Sequence, residues 1–252
     1  MKTKVVFLHI PKTAGQSVHS ELETFFGPDR VSPVRVHTQA QDTCFPDPEK
    51  YDLFSGHIDW HDMERITGPK YVFSVLRDPL ARIASFYFYL QQKGSVMDAE
   101  ELSKPEHTGL RDIQNLSSDD YFFPADQGKA SFIRNHYDNF YTNYFAARRM
   151  SGHTTLSGTG MMARIELALS NFALCDDIFA ISELEKLEAR LLALYGHEFA
   201  IKDRRINVGP TRKTENPVQK FLDTFERDSS RGRIEDMAVY DYLLLEKYGI
   251  SF

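Results

Sequence analysis

Lys12, Thr13, Gln16 and Ser17 place a cation and three hydrogen-bonding side chains around the small pair Ala14-Gly15. They directly follow the run Phe7-Leu8-His9-Ile10-Pro11. This combination suits an anion. Small residues let the backbone approach a bulky oxyanion closely. A loop that enters a helix also aims backbone N–H groups and the positive end of the helix dipole at one point. The stretch is read as a phosphate cradle, with Lys12 as a mobile cation. It departs from the nucleotide loop G-x-x-x-x-G-K-[ST], in which the Lys comes late beside a Mg²⁺-binding hydroxyl. A plain strand–turn–helix corner with a solvated Lys12 suits the same residues.

Two further groups are chemically apt. Arg77, in Leu76-Arg77-Asp78-Pro79, sits where a strand of an open α/β sheet presents ligand-binding groups, and Ser85 lies two turns into the helix that follows. An Arg fork and a hydroxyl can converge on a second phosphate. Pairing of Arg77 with a carboxylate, and Ser85 as a small packing residue, is the alternative. His57, after Ser55-Gly56, also follows a strand end. An imidazole there suits general-base work; it equally suits a turn cap or a polar pocket. His61 stands four residues on, a spacing that binds metal on a helix, but no Glu adjoins His57 and no metal site is assigned. His9 is expected to pack within its strand and His19 to be exposed. Asp59 either orients His57 or caps a short helix.

Elements that could carry these groups alternate along the chain. Lys4 to Leu8, Tyr51 to Gly56, Lys70 to Leu76 and Asp177 to Ile181 read as buried strands. Val31 to Val36 reads as a possible short one. Val18, Leu22, Phe25 and Phe26 recur at helical spacing after the first loop. Asp78 is a good N-cap with Pro79 at the first helical position. Phe132 to Met150 reads as an aromatic-rich helix, Ser151 to Gly160 as a mobile Gly/Ser/Thr-rich stretch and Met161 to Leu174 as a helix. Ser182 and Glu185 read as a capping box. Ile206 to Pro217 reads as a long loop, followed by terminal helices. The alternation predicts an α/β fold: a mostly parallel central sheet with helices on both faces, in a single domain spanning 1–252.

The 252 residues are 42% hydrophobic and 26% charged, as in a soluble globular protein. A formal net charge of -6 argues against a general nucleic-acid binder. Cys44 and Cys175 lack metal-like or redox-like neighbours. No signal-peptide core or run of about 18 apolar residues occurs, so the expected compartment is cytoplasmic, without a membrane span.

Together, the first loop, the strand-Arg-Asp-Pro element and the downstream Ser resemble the sulfotransferases that use 3′-phosphoadenosine 5′-phosphosulfate (PAPS). The nearest likeness is to carbohydrate sulfotransferases of the heparan and uronyl 2-O-sulfotransferase type. Pro11-Lys12-Thr13-Ala14, Gly56-His57, Leu76-Arg77-Asp78-Pro79 with its aromatic continuation Phe86 to Tyr89, and Arg212-Lys213-Thr214 match that pattern in order and approximate spacing. Where the family loop carries further hydroxyls, this chain has Gly15 and Gln16.

The resemblance implies a P-loop-like sulfotransferase fold and transfer of a sulfuryl group from PAPS to an acceptor hydroxyl, on a saccharide by likeness or otherwise on a lipid or small metabolite. It implies that residues 12–17 (Lys12, Thr13, Ala14, Gly15, Gln16, Ser17) bind the 5′-phosphate end, with Lys12 at the leaving oxygen. Arg77 and Ser85 would bind the 3′-phosphate and His57 would be the base. Arg212, Lys213 and Thr214 would close over the nucleotide, unless they are a solvated charge run. Sulfuryl carries less charge than phosphoryl, so no metal is required. Trp60, Phe140, Tyr141, Tyr144 and Phe145 either line an acceptor cleft or fill the core; Arg148 and Arg149 either face an acidic acceptor or water. Two other functions suit parts of the pattern: an ATP-dependent kinase, which the missing late Lys-Ser/Thr pair disfavours, and a nucleotide-binding module without catalysis.

Overall fold

The structure, a computed structural model, describes residues 3–203 and 216–252. Arg212, Lys213 and Thr214 lie outside the described residues. Four strands, β1 (Lys4–Leu8), β2 (Leu53–Gly56), β3 (Lys70–Leu76) and β4 (Asp177–Ala180), form one parallel sheet in the order β2-β1-β3-β4. Val5, Val6, Phe7 and Leu8 are fully buried, which explains the unbroken apolar reading of β1: a parallel sheet is covered on both faces.

The covering helices are set by helical apolar stripes. On one face, Val18 and Leu22 of α1 (Gly15–Phe26) pack with Val5, Phe7, Phe73 and Val75. The helices that follow β3 are α2 (Pro79–Ser95), α3 (Ala99–Ser103), α4 (Thr108–Asn115), α5 (Ser118–Phe122), α6 (Gln127–His136), α7 (Phe140–Ala147), α8 (Gly152–Thr155) and α9 (Met161–Phe172). After β4 come α10 (Leu184–Tyr195), α11 (Pro217–Leu222), α12 (Asp228–Asp236) and α13 (Val239–Tyr248). Leu187 and Leu191 of α10 join the α1 face. Helices α7, α9 and α13 cover the other face over Val6, Leu8, Val72 and Ile178. A third apolar cluster joins α2, α5, α6, α11 and α12 without a strand residue.

Several local expectations are corrected. Val31 to Val36 makes only isolated parallel bridges, Val31 to Leu53 and Val36 to His57, because Pro33 between them cannot donate to a ladder. The aromatic segment is two helices, broken where Asn139 turns left-handed at φ 44°. The Ser151–Gly160 segment contains α8, and Gly152 packs so tightly that a Cβ would lie 2.2 Å from the Asn143 carbonyl oxygen. Ser182 and Glu185 do not form the capping box; a 3₁₀ turn, Ile181–Glu183, intervenes, and Glu183 accepts from the Ala180 N–H at 3.0 Å. Cys44 and Cys175 are both free and buried. Among the described residues, no helix is long and apolar enough to cross a membrane.

Candidate active site

Strand β1 has β2 on one side and β3 on the other, so the loops leaving β1 and β3 diverge and open a crevice at the carboxyl ends of the strands. A cavity of about 830 Å³ lies there. Lys12, Ala14, Gly15, Gln16, Ser17, His57, Arg77 and Ser85 all line it. Three sequence-distant segments, leaving β1, β2 and β3, therefore meet around one space.

The first loop is built for close approach. Lys12 and Ala14 both adopt positive φ, 72° and 63°, a conformation uncommon for non-glycine residues and typical of ligand-clamping turns. The loop is pinned from within: the Thr13 hydroxyl donates to the Ile10 carbonyl at 2.9 Å. Thr13 is fully buried, so that hydroxyl does not face the cavity. Gly15 is required by packing, because a Cβ there would lie 1.8 Å from the His9 imidazole. Helix α1 starts at Gly15, and its first three residues line the cavity. Lys12 rests its ammonium 4.2 Å from the centre of the Tyr89 ring. Burial, with Arg77 nearby, holds the Lys12 pKa below the ordinary lysine value.

Arg77 is fixed through its backbone. The Tyr141 hydroxyl donates to the Arg77 carbonyl at 2.8 Å and accepts from the Arg77 N–H at 3.2 Å. Asp78 caps α2, accepting from the Ala81 N–H at 2.7 Å, and its other oxygen accepts from the Tyr242 hydroxyl at 2.7 Å. Among the described residues, the Arg77 guanidinium makes no hydrogen bond or ion pair. Its pKa lies below the ordinary arginine value because it is buried.

His57 has a defined tautomer. Its Nδ1 is 2.7 Å from the His9 carbonyl oxygen, which only accepts, so Nδ1 carries the proton and Nε2 holds the lone pair. Burial lowers its pKa most, and Arg35 and His37 add to the shift; the bond to His9 opposes it. The imidazole is neutral at pH 7 as a result. Arg35 stands behind it. The Arg35 carbonyl accepts from the His57 N–H at 2.8 Å. Its guanidinium donates to the Ser55 carbonyl and contacts the His19 imidazole. Gly56 lets that strand run close, since a Cβ would lie 2.1 Å from the Arg35 carbonyl oxygen.

Other expectations resolve differently. His9 stands just past β1 and lines the cavity, stacked on Phe7 at 5.3 Å and 4.3 Å from the His57 ring. His19 is buried, bonded to the Ser55 hydroxyl at 3.0 Å. Asp59 neither orients His57 nor caps a helix; it accepts from the Met150 N–H at 2.7 Å. Trp60, Phe140, Tyr141, Tyr144 and Phe145 are core residues outside the cavity lining. Arg148 is held by Glu64 and the Trp60 carbonyl, and Arg149 contacts His61. Sequence reasoning missed His37 and His136 in the cavity wall and Arg35 behind it. They come from irregular segments or helix ends and carry no motif of their own.

Lys12 and Arg77, two cations from separate strand tips with a neutral imidazole beside them, match a ligand carrying two anionic groups and a site for proton removal. The family model described as "Sulfotransferase family" matches residues 1–247. The chain belongs to the sulfotransferase family. Among curated proteins, none matches the chain. The parallel four-stranded sheet with helices around it is consistent with the P-loop-like sulfotransferase fold. Membership makes sulfuryl transfer the general reaction of this enzyme.

Proposed function

We propose that the cavity binds PAPS and that the enzyme passes its sulfuryl group to an acceptor hydroxyl. The observation that carries this reading is the convergence of Lys12, Arg77, Ser85 and His57 on one cavity at the switch point of the sheet. The donor supplies an activated sulfuryl group. The remaining work falls to the chain.

The 12–17 loop and the amino end of α1 hold the 5′-phosphate end, where small residues and positive φ bring the backbone close. Arg77 and Ser85 hold the 3′-phosphate. His57 Nε2 takes the acceptor proton as the acceptor oxygen bonds to sulfur. Lys12 meets the charge that develops on the phosphate oxygen as its bond to sulfur breaks. The buried, neutral state of His57 suits the first task. The lowered pKa of Lys12 follows from its burial and from Arg77 nearby, a partly desolvated setting in which its charge acts strongly on a developing oxyanion, as the second task requires. No step in this scheme calls on a metal.

The likeness to 2-O-sulfotransferases makes a saccharide hydroxyl the acceptor of choice. Calorimetry with 3′-phosphoadenosine 5′-phosphate, and transfer from isotopically labelled PAPS to a panel of saccharide, lipid and small-metabolite alcohols, test the scheme. Nucleotide binding with transfer is expected. Absence of both overturns the reading, and binding without transfer to any acceptor returns it to a nucleotide-binding module.

A further inference from the structure

A second cavity of about 500 Å³ lies between α2, α4, α5 and α6. Its walls are apolar: Leu90, Leu110, Leu116, Tyr121, Phe132 and Ile133. Its charges balance. Lys129 pairs with Asp112 at 2.9 Å, Lys93 and Glu106, both exposed, have opposite signs, and His107, also in the wall, bonds to Glu101 at 3.0 Å. The volume is in the range of small-molecule sites, and the balanced charge favours an uncharged apolar occupant.

This cavity adjoins the candidate active site. Phe86, Leu90 and Lys93 fall on one stripe of α2, and Phe132 and His136 on one stripe of α6. Phe86 and His136 line the first cavity; Leu90, Lys93 and Phe132 line the second. One helical turn, about 5.4 Å, takes the chain from one to the other. The partition is a ring stack. His136 lies 4.2 Å from Phe132 and 6.1 Å from Phe86, with interplanar angles of 25° and 10°. His136 is held on the stack by Nδ1, which donates to the Phe132 carbonyl at 2.9 Å, and by its own carbonyl, which accepts from Arg82 at 2.6 Å; Phe86, Phe132 and His136 are all partly exposed, so the stack presents a surface between the two cavities. The His136 pKa is pushed down to about 4, chiefly by burial, so the partition carries no charge.

Resting on the sulfuryl-transfer reading above, we propose that the acceptor is amphipathic: a hydroxyl-bearing head at His57 joined to an uncharged apolar group that crosses the Phe132–His136–Phe86 stack into the second cavity. A free, highly charged saccharide leaves that apolar space unused. An alkyl or aryl glycoside fills it.

The probes are methyl, butyl, hexyl and octyl β-D-glucopyranosides below their micelle concentrations. Binding is followed by methyl NMR of the full chain, with and without 3′-phosphoadenosine 5′-phosphate. Affinity is expected to rise by about fourfold for each methylene buried, with shifts at the Leu90, Leu110 and Ile133 methyls. Gly109→Leu tests the location. Gly109 lines the cavity, and a Cβ there meets only the Phe132 ring, at 3.9 Å. The site accepts a Cβ at ordinary contact distance, and the longer side chain takes up part of the space, so the variant should weaken the chain-length dependence at least about tenfold for the octyl glucoside, leaving nucleotide affinity unchanged. Chain-length independence, shifts confined to other methyls, or a dependence unchanged in Gly109→Leu overturns the proposal. Loss of nucleotide binding with glucoside binding intact instead overturns the sulfuryl-donor reading on which it rests.

Discussion

Replacing Arg77 by Met separates the two ends of the nucleotide. The Arg77 backbone is held by Tyr141 through both its N–H and its carbonyl, so the substitution leaves the strand tip in place. The guanidinium has no hydrogen-bond or ion-pair partner among the described residues, so its removal strands no buried carboxylate. A 3′-phosphate taken up bidentately gains two charge-assisted hydrogen bonds, each worth roughly 1.5–3 kcal/mol. Part of that gain repays desolvation of the phosphate. A net loss of about 3–4 kcal/mol corresponds to 10²- to 10³-fold weaker binding of 3′-phosphoadenosine 5′-phosphate. Adenosine 5′-monophosphate lacks the 3′-phosphate and serves as its own control. Titration calorimetry of both ligands against wild type and Arg77→Met should show the large loss for the first and near-equal affinities for the second. Equal weakening of both ligands, or of neither, would refute the placement of the 3′-phosphate at Arg77.

Four other outcomes follow from the same site. His57→Asn keeps a side-chain donor for the His9 carbonyl but removes the base; single-turnover transfer should slow by roughly 10²- to 10⁴-fold with nucleotide affinity unchanged, and a rate within tenfold of wild type contradicts the role. Because the His57 pKa lies below the ordinary 6.5, its base form persists to lower pH, and transfer is lost only as pH falls through that depressed value. Arg35→Met removes a cation that depresses it, so both the acid limb of kcat/KM and the His57 titration seen by NMR should move upward; an unmoved titration shows that Arg35 has no electrostatic hold on the base. Gly56→Ala sets a methyl group against the Arg35 carbonyl oxygen and should cost about 1–3 kcal/mol in urea unfolding, whereas an unchanged midpoint contradicts the tight pairing of residues 35 and 57.

The sheet was legible because strands buried on both faces must be apolar throughout: the Val5–Leu8 and Tyr71–Leu76 runs carry that mark without any alternation to decode. The placement of Lys12, His57 and Arg77 was legible for a related reason, since each follows such a run and the carboxyl ends of parallel strands lie along one edge of the sheet. What escaped depended on contacts between distant residues. His9 looked like a strand residue until its ring packed where Gly15 has no side chain. Arg35 lies beside Pro33 in an interrupted edge segment, so no periodicity marks it. The 140–145 aromatics had the spacing of either a cleft or a core. Only the break at Asn139, which turns α7 beneath the sheet, decides for the core. Glu183 took over the cap assigned to Ser182 and Glu185 because a 3₁₀ turn displaced the helix start.

The most direct test of the account is a crystal structure with 3′-phosphoadenosine 5′-phosphate bound. It should place the 5′-phosphate against residues 12–17 and the 3′-phosphate on Arg77 and Ser85. His57 Nε2 should face the 5′-phosphate oxygen from which the sulfuryl group departs. A nucleotide bound in the reverse sense, or in a different cavity from His57, would contradict it.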